Sequence, residues 1–97
     1  MLMIIGTGTI TFRIHGCRSL KEKRKVVKAI ISRFQHNFNI SIAEVGYNDI
    51  HQQAKIGFAL VGNNKKTINS KIDKILNLAD NIIIAETIDS QMEIIIL

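Results

Sequence analysis

The 97-residue sequence predicts an α+β sandwich with the element order βαββαβ. Three observations carry that prediction. The first fourteen or so residues alternate with a period of two. Two later stretches space their apolar residues as helices do, the first opened by a capping box. Two alternating stretches lie between those helices, separated by a short polar turn.

Residues 2–15 form the first predicted strand. Leu2, Ile4, Ile10, Phe12 and Ile14 share one side with Gly8, while Met3, Ile5, Thr7, Thr9, Thr11 and Arg13 share the other. Side chains alternate across a strand, so one face is strongly apolar and the other is rich in threonine. Ser19-Leu20-Lys21-Glu22 then has the spacing of a capping box, with Glu22 expected to reach back to the Ser19 amide. Leu20, Val27, Ile30, Ile31, Phe34 and Phe38 follow on one arc, predicting a helix over 20–37. Lys23 falls inside that apolar arc and must either snorkel or find a partner.

A second strand is predicted over 39–47 and a third over 54–62, with Ile56, Phe58 and Leu60 on one face. A second helix begins near Asn64 and buries Ile68, Ile72, Ile75, Leu76 and Ala79. Residues 82–88, with 92–96, predict a fourth strand interrupted or bulged near Asp89-Ser90-Gln91. Two right-handed crossovers around a hairpin give a ferredoxin-like βαββαβ sandwich. Its sheet should be antiparallel, of order 4-1-3-2, with both helices on one face. That topology gathers the first βα turn, the hairpin between the second and third strands and the last αβ turn at one end.

The chain is short enough to be a single domain spanning 1–97. It has no apolar run long enough to span a bilayer and no signal-peptide pattern, so no membrane association is expected. Its one cysteine, Cys17, cannot form an internal disulfide, and a reducing cytoplasm is the expected location.

The net charge of +5 is unevenly placed. Residues 13–33 carry a net +7, residues 34–97 a net −2, and 80–97 have four acids and no base. In 18–28, "RSLKEKRKVVK", six of eleven residues are basic. Cations are unfavourable near a helix N-terminus, by about 0.3–1 kcal/mol each at low salt. Placing Arg18, Lys21, Lys23, Arg24 and Lys25 there opposes local propensity, and such violations tend to mark function. Free helix amides among Arg and Lys make an anion site suited to phosphate. The candidate phosphate-backbone site is therefore Arg18, Ser19, Lys21, Lys23, Arg24, Lys25 and Lys28. Tyr47 and His51 on the adjacent hairpin are candidates to touch a base or sugar. A solvated surface helix is the plainer reading of the same charges. Glu44 and Asp49 on or beside the hairpin are expected to neutralise the basic end.

Other chemistries find less support. "KIGFALV" in the third strand has the Gly-aromatic-Ala core of an RNA-recognition motif. Phe58 and Phe12, however, share faces with core isoleucines, leaving nothing on the open face to stack a base. Cys17, His15, His36 and His51 are too few and badly spaced for zinc. "GTG" at 6–8 opens no helix, so no dinucleotide loop and no cofactor is expected. Cys17 precedes a helix start among cations but lacks a base, which favours a structural thiol. An acylphosphatase-like hydrolase shares the topology, yet the second strand offers no amide side chain at Ser41, Ala43 or Val45 to position water. The open sheet face, with Ile5, Ala43, Val45, Ala59, Val61, Ile83 and Ala85, is flat and partly apolar, as for pairing with a second copy.

The stretches "HGCRSLKEKRKVVKAI" and "FNISIAEVGYNDIHQQAKIG" resemble the YlxP-like family, a group of short bacterial proteins of uncharacterised function. The resemblance covers about residues 1–90. Its most specific element is Arg-Ser-Leu-Lys-Glu-Lys-Arg, intact at 18–24. His51 stands where the family pattern has an aromatic, usually Trp. The resemblance implies a ferredoxin-like fold and, by genomic association with translation genes, an RNA or ribosome setting. It implies no established activity. Two functions follow as expectations: a non-enzymatic RNA or ribosome-binding module, and a homodimeric adaptor that binds no nucleic acid.

Overall fold

A computed structural model describes residues 2–97. β1 (Ile4–Arg13), α1 (Leu20–Asn37), β2 (Ser41–Gly46), β3 (Gln53–Gly62), α2 (Lys65–Asp80) and β4 (Glu86–Ile96) follow in order. The four strands form one antiparallel sheet of order β2-β3-β1-β4, which is the expected order read from the other edge. Both helices pack on one face, α2 over β1 and β4 and α1 toward β2.

The core follows the strand alternation. Ile4, Ile10 and Phe12 of β1 and Ile56, Phe58 and Leu60 of β3 are buried against Val27, Ile30 and Phe34 of α1 and Ile68, Ile72 and Ile75 of α2. Burying each such side chain contributes about 1.5–3 kcal/mol, so the apolar stripes of the two helices fix which way they face. Gly8 sits opposite Phe58 in the β1–β3 ladder. A Cβ there would enter the Phe58 ring, so glycine is what lets the ring lie against the strand. Gly16, with φ +71°, makes the left-handed turn between β1 and α1.

The other face of the sheet is open, and its register is explicit. One row runs Ile95, Ile5, Val61, and the next Glu93, Thr7, Ala59, Ser41. Then come Gln91, Thr9, Gly57, Ala43, and finally Asp89, Thr11, Lys55, Gly46. Neither Phe12 nor Phe58 lies on this face, so it offers no aromatic platform.

Two expectations need correction here. The run Ile82-Ile83-Ile84-Ala85 is not strand but the crossover from α2. Ile82 and Ala85 tuck into the core while Ile83 is 95% exposed. Ile83 and Ala85 therefore do not belong to the open face. The irregularity expected near Asp89-Ser90-Gln91 is a bulge just before them: the register shifts between Asp89 and Thr87, leaving Ile88 as the extra residue. Isoleucine-rich runs satisfy a strand pattern and a buried crossover equally well, and only pairing with β1 separates them.

Candidate nucleic-acid interface

The β1–α1 turn, the β2–β3 hairpin and the start of β4 meet at one end. The Ile14 amide donates to Gln52 O, and Gln52 Nε2 donates to Cys17 O at 3.4 Å. Cys17 is buried, with its Sγ donating to Ser19 O at 3.3 Å, in keeping with a structural thiol. At the edge, Glu86 lies 3.8 Å from Arg13 and 3.1 Å from His15, so these two side chains already face an acid.

The helix start is capped by the chain's own groups. Ser19 Oγ accepts from the Glu22 amide at 3.1 Å, as the capping box predicts. Glu22 Oε2 accepts from the Arg18 amide at 2.8 Å, one residue earlier than the expected Ser19 amide. Two donors that could cradle an anion are thus engaged, one of them by a carboxylate. Ser19 serves as a cap, and the site depends on side chains more than on helix amides.

Lys23 occupies a different environment from its basic neighbours. It is 1% exposed and points from the first turns of α1 toward β2. Its Nζ donates to Tyr47 O and lies 3.0 Å from Glu44 Oε2. The Glu44 contact is not aligned as a hydrogen bond, so that oxygen is compensated by charge rather than by a shared proton. Tyr47 itself has φ +60°, unusual for an aromatic residue, and its carbonyl also accepts from the Ile50 amide. One buried ammonium therefore holds the strained end of the hairpin to α1.

The remaining cations face solvent. Arg18, Lys21, Arg24, Lys25 and Lys28 are exposed, and among the described residues none forms an ion pair. Lys21, Arg24, Lys25 and Lys28 are spaced i, i+3, i+4, i+7, which sets them along one stripe of α1 about 10 Å long. The stripe lies away from the Lys23–Val27–Ile30–Phe34 core arc. Of the two acids expected to neutralise this end, Glu44 pairs with Lys23 and Asp49 forms no ion pair among the described residues. Tyr47 is exposed and His51 half-buried, both on the hairpin that Lys23 anchors. Helical phase was enough to predict that Lys23 points inward. Its pairing with Glu44 depends on how α1 crosses β2, which no local pattern records.

The structure thus defines a ferredoxin-like α+β sandwich with a basic helix opening and an anchored hairpin at one end. Residues 5–92 match the family described as "Protein of unknown function (DUF503)". The chain is also 36% identical over 78 residues to "Uncharacterized protein YlxP" of Bacillus subtilis (strain 168), covering 80% of this chain and 85% of that protein. The chain belongs to this YlxP-like DUF503 family. Among its described residues, no helix is long and apolar enough to cross a membrane.

Proposed function

We propose that this protein is a non-enzymatic module that binds the phosphate backbone of RNA, free or within the ribosome. Arg18, Lys21, Arg24, Lys25 and Lys28 contact phosphates. Tyr47 and His51 lie on the adjacent hairpin and touch a base or sugar. The observation that carries this reading is the stripe of cations without acidic partners on α1. Like charges at i, i+4 destabilise a helix, so such a stripe costs stability in the free protein. A polyanion removes that cost on binding. Lys23 is excluded from the contact set because its charge is already used inside the fold.

An electrophoretic shift with a generic RNA at low and moderate salt tests the reading. Binding through four or five side chains requires affinity to fall steeply with salt. A second reading, a homodimeric adaptor that binds no nucleic acid, is favoured by the exposed apolar residues of β4. It predicts no shift at any salt concentration.

A further inference from the structure

β4 is an edge strand eleven residues long, and its two halves differ. The first half is guarded in the ways edge strands usually are, by Glu86, Asp89 and the irregularity at Ile88. The second half, Gln91–Ile96, has no proline, no lysine and one charged side chain, Glu93. The Leu97 amide donates to Met3 O at 2.9 Å, which sets the alternation of the ladder. Odd-numbered residues here turn their backbone groups toward β1, and Met92, Ile94 and Ile96 turn theirs outward. The same three residues place their side chains on the helix-covered side, opposite Gly8, Gly6 and Ile4. Cover there is incomplete: Met92 is 42% and Ile96 52% exposed.

We propose that this segment pairs antiparallel with the same segment of a second copy, centred on Ile94, joining two sheets into one of eight strands. A two-fold contact must be self-complementary, and this register is. Ile94 meets Ile94 of the second copy, and Met92 meets its Ile96. About six backbone hydrogen bonds form from groups that already point outward. On the open side Glu93 meets Ile95 of the second copy, so no like charges oppose. Centring on Gln91 instead sets Asp89 against Glu93, a repulsive pair, and draws Ile88 into the ladder. Stacking through the open face has less to recommend it. That face is crossed by Thr7, Thr9 and Thr11, bordered by Asp89 and Glu93, and lacks Ile83 and Ala85.

Light scattering of the full chain at micromolar concentration should give roughly twice 10.9 kDa. The double variant Met92→Lys, Ile96→Lys should scatter as a monomer with an unchanged circular dichroism spectrum. Val61→Glu, on the open face, should remain a dimer. Should the double variant unfold, Ile94→Cys gives an independent reading. Paired Cα atoms at the two-fold lie about 5.5 Å apart, within disulfide range, so mild oxidation should yield a symmetric crosslinked dimer. A parent that stays monomeric, a dimer broken by Val61→Glu but not by the paired lysines, or no crosslink through position 94 would each overturn the proposal.

Discussion

Lys23 Nζ lies 3.0 Å from Glu44 Oε2, joining α1 to β2 by an ion pair whose lysine is almost wholly buried. Buried pairs of this kind are weak contributors to net stability because desolvation offsets their attraction, while the loss of one partner is severe. Lys23 also holds the Tyr47 carbonyl, so the pair fixes where the hairpin sits. That position sets the hairpin carrying Tyr47 and His51 against the Lys23 side of α1, near the start of the helix.

Glu44→Ala should destabilise the protein by about 3–5 kcal/mol, since it strands the Lys23 ammonium. Lys23→Met should cost less than Glu44→Ala, because the Glu44 side chain retains some solvent contact and can rehydrate. Lys23→Met with Glu44→Leu should recover to within about 1–2 kcal/mol of the parent. Urea melts of the parent, Lys23→Met, Glu44→Leu and the double variant measure the coupling. Strict additivity would show that the two charges do not depend on each other.

The contrast between Lys23 and its neighbours shows how far the sequence could be read. Phase on a helical wheel separated Lys23 from Lys21, Lys25 and Lys28, because 100° per residue is a local property of the chain. The same holds for the Ser19 cap and for the alternation that buries Phe12 and Phe58. Contacts between distant segments were legible only coarsely: Glu44 was expected at the basic end, but not on Lys23 in particular. The Lys23–Glu44 pair, the left-handed Tyr47 and the crossover at 82–85 all depend on how α1, the hairpin and β4 dock. Ile82-Ile83-Ile84 has strong strand propensity, yet the β1 ladder begins at Glu86 and leaves Ile83 in solvent. Tertiary pairing overrode propensity there.

Gly8→Ala should destabilise by about 1–3 kcal/mol or more, since the added methyl meets the Phe58 ring where neither strand can move freely. Gly16→Ala should also destabilise, by about 1 kcal/mol, for the different reason of its positive φ. Thermal melts of both, with Gly8→Ala/Phe58→Leu as a partner variant, separate packing from backbone strain. Phe58→Leu should soften the Gly8→Ala defect and would have no reason to touch the Gly16 one.

Tyr47→Gly should leave stability within about 1 kcal/mol of the parent. Glycine relieves the left-handed backbone, and Lys23 bonds the main-chain carbonyl rather than the ring. If Tyr47 stacks on a base, RNA affinity should nonetheless weaken by about 1–3 kcal/mol. Unchanged RNA affinity would remove Tyr47 from the interface and leave the cation stripe standing.

Lys21→Glu with Lys25→Glu should raise stability by about 1 kcal/mol at low salt. The changes put acids near the α1 N-terminus and set one carboxylate before Arg24 and another before Lys28, each at helical i, i+3 spacing. The gain should fade as salt screens it. A variant that melts lower than the parent would mean that the cations are held by partners in the folded state.

The most direct test of phosphate-backbone binding is RNA affinity, by fluorescence anisotropy, as a function of salt for the parent and for Lys21→Glu/Lys25→Glu. Four or five phosphate contacts predict a parent slope of log affinity against log salt of about −3 to −4, and a slope shallower by about one to two units in the variant, which binds more weakly at every salt concentration. A parent that fails to bind at low salt, or a variant with the same slope and affinity as the parent, would contradict the account.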